Sequence, residues 1–133
     1  MGIFDKKPRW TGKKKEVRLT GCLLPFINDN PFTLQVPGST DHYVTVFSSP
    51  DRLNAFMRLK PIMEIVFDNY GYEAMMRGYC VKQISDGPEF LRSLRDGGAK
   101  AMLDPEIIGP DHTRWTEILF EGETIFRLDP ERN

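Results

Sequence analysis

Apolar positions recur along this chain with two different periods. Phe32, Leu34 and Val36 alternate with polar neighbours, the pattern of a half-buried strand. Residues 17–27 are largely apolar, and Pro25 inside the run predicts a strand that ends near Leu24. Asn28-Asp29-Asn30-Pro31 between these runs is turn chemistry, and the spacing suits a hairpin. After a second turn at 37–41, Tyr43-Val44-Thr45-Val46-Phe47 is β-forming and apolar on both faces except at Thr45. Such a strand is covered on both sides and therefore central in its sheet.

Helical signals alternate with these. Ser48-Ser49-Pro50-Asp51 opens a helix. Ser49 can accept from a free first-turn amide, Pro50 lacks a donor where none is needed, and Asp51 complements the positive end of the dipole. Leu53, Phe56 and Met57 follow at helical spacing, and Pro61 predicts the end of the helix or a kink. Ile62, Met63, Ile65, Val66 and Phe67 fit helix or strand. Helix is favoured over 62–67, with a turn at Asp68-Asn69-Tyr70-Gly71. Residues 79–84 alternate like a strand. Ser85-Asp86-Gly87-Pro88 opens a further helix with Phe90, Leu91 and Leu94 as its stripe, stopped by Gly97-Gly98.

A short strand at 99–103, ended by Asp104-Pro105, leads to a terminal hairpin of 113–120 and 124–128 around Glu121-Gly122-Glu123. In its first arm Trp115 shares a face with Glu117 and Leu119, while Arg114, Thr116, Ile118 and Phe120 share the other. The order predicts an α+β fold: a mixed, mostly antiparallel sheet with two or three helices packed on one face, in a single domain over 17–133. Leu103-Asp104-Pro105-Glu106 recurs as Leu128-Asp129-Pro130-Glu131, which Asp-Pro as a strand terminator explains without an internal repeat.

Composition sharpens the domain boundary. The chain has 133 residues and a net charge of −1, but residues 1–15 carry six cations against Asp5 and the remainder carries a net −6. Residues 1–16 also lack apolar periodicity, so they read as a basic, flexible arm on an acidic body. No apolar run approaches the ~20 residues of a membrane span, and Met1-Gly2-Ile3-Phe4-Asp5-Lys6 has no apolar secretory core. The expected compartment is the cytoplasm, where Cys22 and Cys80 are expected as reduced thiols.

Two segments resemble the N-terminal domain of the SseB family, the bacterial serine-sensitivity-enhancing proteins. Residues 43–53, from Tyr43-Val44-Thr45-Val46-Phe47 through Ser48-Ser49-Pro50-Asp51-Arg52-Leu53, are similar to that family's strand into "F-T/S-S-x-x-x-L" and helix. Val81-Lys82-Gln83-Ile84, Phe90-Leu91-Arg92-Ser93-Leu94 and Ala101-Met102-Leu103-Asp104-Pro105 resemble its helix, glycine and "L-N/D-P" strand end, with Asp104 for the more usual Asn. The resemblance covers about residues 40–108. It implies a bacterial interaction or regulatory module, supplies no catalytic set, and makes Asp104 a turn former.

Candidate chemistry is sparse. His42 and His112 each follow an Asp in a predicted loop. A metal or acid–base pair would require Asp41-His42 and Asp111-His112 to meet, and no ligand spacing supports a metal site. Both cysteines lie among apolar residues, which favours inert thiols. No phosphate loop, nucleophile elbow or HExxH occurs. These features predict no enzyme, no cofactor and no metal. Met63, Phe67, Tyr70, Tyr72, Met75 and Met76 are either core or a deformable surface for a protein partner or for self-association. The alternative reading uses Lys6, Lys7, Arg9, Trp10, Lys13, Lys14 and Lys15 to follow a phosphate backbone while the indole stacks on a base. The acidic body disfavours nucleic acid. A third use of the arm is to fold onto an acidic face of its own body or of a partner subunit.

Overall fold

A computed structural model describes residues 9–36, 41–109 and 112–131. Lys6, Lys7, Asp111, most of the turn at 37–41 and the side chain of His112 fall outside the described residues.

The strands are β1 (Lys15–Glu16), β2 (Leu23–Ile27), β3 (Asn30–Pro31), β4 (Thr33–Gln35), β5 (His42–Val46), β6 (Cys80–Gln83), β7 (Ala99–Gly109), β8 (His112–Glu121) and β9 (Thr124–Leu128). The helices are α1 (Pro50–Met57), α2 (Lys60–Tyr70), α3 (Tyr72–Arg77) and α4 (Gly87–Asp96). Six strands form one sheet in the order β1-β9-β8-β7-β5-β4, and three form a smaller sheet, β3-β2-β6. Among the described strands, only β5 and β7 pair in parallel. Leu23 and Phe47 exchange backbone hydrogen bonds of 2.8 and 2.9 Å, joining the small sheet to the large one. The result is one α+β domain with a mixed, mostly antiparallel sheet.

The pleat of β5 separates two cores. Tyr43 and Phe47 face a cluster with Met102, Trp115 and the apolar sides of α1, α2 and α3. Val44 and Val46 face the other, with Ala101, Leu103, Ile118, Ile125 and Leu91 of α4. Helices therefore cover both faces instead of the single face expected. A strand apolar on both sides has to be covered on both. Trp115 and Ile118 fall on opposite faces, as the alternation in β8 requires.

Capping follows the expected chemistry. Ser49 Oγ accepts from Arg52 N at 3.3 Å at the start of α1, and Asp86 Oδ1 accepts from Glu89 N at 3.0 Å at the start of α4. Pro61, expected to end or kink the first helix, lies in the first turn of α2, where its missing donor is harmless. The expected turn at 68–71 is still helix as far as Tyr70. Gly71, at φ 93°, then separates α2 from α3.

Two strand expectations are corrected. The strand expected at 17–24 is instead β2, which contains Pro25 and pairs with β3 and β6, while β4 pairs with β5. Pro25 is tolerated because its carbonyl, accepting from Phe32 N at 2.9 Å, points away from β6. Asp104-Pro105 does not end a strand. Residues 104–105 form a bulge inside β7, where the register with β8 shifts between Leu103 and Glu106. Asp104 adopts φ 50°, and its carboxylate accepts from Ser48 N and Ser48 Oγ, both at 2.8 Å. Among the described residues no helix is long and apolar enough to cross a membrane.

Candidate functional site

Helices α2 and α3 carry the residues expected to bind a partner, and helical geometry divides them between two directions. Ile62 and Val66, four apart, are buried against the core. Leu59, Met63 and Phe67, also four apart, form a second stripe that stays in water, with Met63 at 42% and Phe67 at 46% exposure. In α3, Ala74 is buried while Tyr72 and Met76 are 61% and 65% exposed. Tyr70 and Met75 are half-buried and pack on the core. Of the six expected residues, four point outward and two support the core.

Exposed apolar side chains are concentrated there. Leu59, Met63, Phe67, Tyr72 and Met76 are five of the seven large hydrophobics exposed among the described residues, the others being Val81 and Ile108. Added together, the five leave on the order of 500 Å² of largely apolar surface in water. Glu64, Asp68 and Glu73 border the stripes, against Lys60 and Arg77. Arg77 pairs with Glu73 at 3.7 Å.

The basic arm is engaged elsewhere. Residues 9–16 lie against the body, which corrects the reading of this part of 1–16 as free. Trp10 forms a β-bridge with Pro130, Thr11 N donates to Asp129 O at 2.9 Å, and Glu131 N donates to Arg9 O at 2.7 Å. The Trp10 ring meets Trp115 edge-on at 5.7 Å, and its Nε1 donates to Trp115 O at 3.0 Å. That carbonyl lies where β8 lacks regular partners: its pairing with β7 is shifted by the bulge, and its pairing with β9 stops at Glu117 and Leu128. Lys14 pairs with Glu121 and lies over the Phe126 ring, and Lys15 pairs with Asp129 at 3.6 Å. The arm thus uses on its own acidic body the indole and two of the cations that a nucleic-acid reading would require. Arg9 and Lys13 are exposed.

Comparison with protein-family models, curated proteins and solved structures found no match to this chain.

The two histidines do not converge. His42 pairs with Ala99 at the start of β7 and His112 with Gly109 at its end, which separates them by roughly 30 Å. Cys22 and Cys80 are free thiols. Along the β2–β6 ladder, where Cys80 pairs with Phe26, they are offset by four residues, about 13 Å and beyond disulfide reach. The Cys22 thiol is pushed up from its ordinary 9.0, first by burial and then by the Asp104 charge. Among the described residues no group of three or more His, Cys, Asp or Glu could hold a metal ion.

A polar cleft of about 580 Å³, which the sequence did not signal, opens beside the β7 bulge. Arg52 and Arg114 each approach Glu106 at 3.4 Å, and Arg127 Nε lies 3.4 Å from Asp129. Arg52 comes from α1 and Glu106 from β7, so only the parallel β5–β7 pairing brings them together. Nearby, Tyr43 Oη donates to Glu117 at 3.1 Å. Burial, together with the Glu117 and Asp41 charges, pushes the Tyr43 hydroxyl well above its ordinary 10.0, so it remains a protonated donor. The arginine contacts pair opposite charges, whereas Tyr43 gives Glu117 a neutral donor.

Proposed function

We propose that this chain is a non-catalytic protein–protein interaction module of the SseB-like kind. Its docking face would be the outward stripes of α2 and α3. The observation that carries the reading is the concentration of exposed large apolar side chains on these two helices. Met adapts to a partner's shape through its flexible thioether, and aromatic rings supply contact area at low cost in rotamer freedom. The resemblance of residues 43–53 and 81–105 to SseB-family segments points the same way. The fitting occupant is a partner segment with apolar anchors and a basic rim, complementary to Glu64, Asp68 and Glu73.

The test compares the wild-type chain with a Met63→Glu/Phe67→Glu/Met76→Glu variant as affinity baits. All three side chains are exposed, so the variant should keep its circular dichroism spectrum and lose less than about 1.5 kcal/mol of stability, about 0.5 per site. The reading requires a stoichiometric protein retained by the wild type, released by the variant, and bound as a purified pair at least tenfold more weakly by the variant. A partner held equally by both baits, or no stoichiometric partner at all, refutes it.

A further inference from the structure

Among the described residues, the small sheet ends in an open edge at β6. Of the four outermost strands, β1 and β3 have two residues each, β4 has three and β6 has four. All four residues of β6 are exposed, including Val81 at 45%. The direction of its backbone groups follows from the hydrogen bonds of its neighbour. Leu23 exchanges both of its bonds with Phe47, and Pro25 O accepts from Phe32 N, so the odd residues of β2 turn away from β6. Cys22 O accepts from Ile84 N, so the even residues turn toward it. With Leu24 opposite Lys82 and Phe26 opposite Cys80, the N–H and C=O of Val81 and Gln83 face the open side.

An open row of alternating donors and acceptors binds an extended strand. We infer that the β6 edge pairs antiparallel with β6 of a second copy of this chain, about a two-fold axis at Val81. Two symmetric registers lie nearest the middle of β6, and Lys82 chooses between them. An axis at Lys82 would set each lysine directly against its copy, which is destabilising. An axis at Val81 sets Lys82 opposite Cys80, Gln83 opposite Tyr79 and Val81 against its own copy. Val81 then exchanges both of its backbone bonds with its own copy. Lys82 also lies over the Phe26 ring with its Nζ 4.4 Å from the centroid, which draws the charge toward β2 and off the new seam. The pairing is isologous and would make one six-stranded sheet from two three-stranded ones. It uses a different surface from the α2–α3 stripes, so each can fail alone.

The full chain is examined by sedimentation across a concentration series, and the inferred pairing raises its mass from 15.3 kDa toward twice that value. Val81→Pro removes an outward N–H without touching the β2 ladder, and should return the mass to that of the monomer. In a Cys22→Ser/Cys80→Ser background, Val81→Cys should cross-link to its copy at least tenfold faster than Gln83→Cys. Across this axis the two positions 81 are about 5.5 Å apart and the two positions 83 are roughly 13 Å apart. A monomer at every concentration, equal cross-linking of the two cysteine variants, or a dimer that withstands Val81→Pro overturns the inference. The cross-linking comparison decides the matter even where the proline variant misfolds.

Discussion

Trp10→Ala tests whether the docked arm is part of the folded unit. The indole is largely buried, and truncation to Ala returns ~120 Å² of its apolar surface to water, worth ~3 kcal/mol. The edge-on contact with Trp115 adds about 1 kcal/mol, and the Nε1 bond to Trp115 O about 1 more. Against this gross ~5 kcal/mol stands the backbone freedom regained by the two or three residues the ring anchors, at ~1 kcal/mol each. The net expectation is a loss of about 2 kcal/mol in urea unfolding with an unchanged m-value. Trp10→Phe keeps the ring contact but not the donor, and should lose about 1 kcal/mol. Wild-type tryptophan emission should report the same transition as circular dichroism, because both tryptophans lie at this contact. A loss below ~0.5 kcal/mol for Trp10→Ala, or an emission change preceding the main transition, would show that the arm leaves the body independently and refute the reasoning.

Asp104→Ala removes both acceptors for Ser48 and places a Cβ-bearing residue without a local hydrogen bond at φ 50°. It should cost about 2 kcal/mol and Asp104→Gly about 1, an order that thermal melts can read. Tyr43 holds its proton in the fold more tightly than at its ordinary 10.0, so the unfolded chain ionises first as pH rises. Its contribution to stability should therefore be level below pH 10 and fall above it by at most ~1.4 kcal/mol per unit, and Tyr43→Phe should make the decline above pH 10 shallower in urea melts at stepped pH. Exposed Cys80 should be alkylated by iodoacetamide several-fold faster at pH 8 than Cys22, whose thiol is held protonated by burial and by Asp104, as peptide mapping would show.

Elements whose signals are local were legible in the sequence. Ser49-Pro50-Asp51 and Asp86-Gly87-Pro88 each combine a cap, a first-turn proline and an early acid, and each opens a helix where expected. The doubly apolar pattern of 43–47 marked a strand covered on both faces, which is interior but lies next to the edge strand β4 and not at the centre of the sheet, and Glu121-Gly122-Glu123 marked the terminal hairpin. Pairing was less legible, because it depends on distant residues. Pro25 reads as a strand breaker until it is known that Phe32 lies on its carbonyl side. Asp104-Pro105 reads as a strand end until Ser48 supplies the donors that hold a bulge. The division of residues 62–77 between core and water was hidden for a related reason. The stripe of Ile62 and Val66 and the stripe of Met63 and Phe67 have the same spacing, and only the position of the sheet selects which is buried. The cleft around Glu106 left no trace at all, since its cations come from β1, α1, β8 and β9.

The bond from Glu131 N to Arg9 O, beside the bridge of Trp10 with Pro130, brings the two ends of the described fold side by side. A polypeptide can therefore enter and leave this unit through a single doorway. A linker of a few residues joining those ends, with new ends opened at the Gly122 turn, should yield a circularly permuted protein with the same core. For the same reason the unit could be spliced into a surface loop of a host protein without prying the host apart.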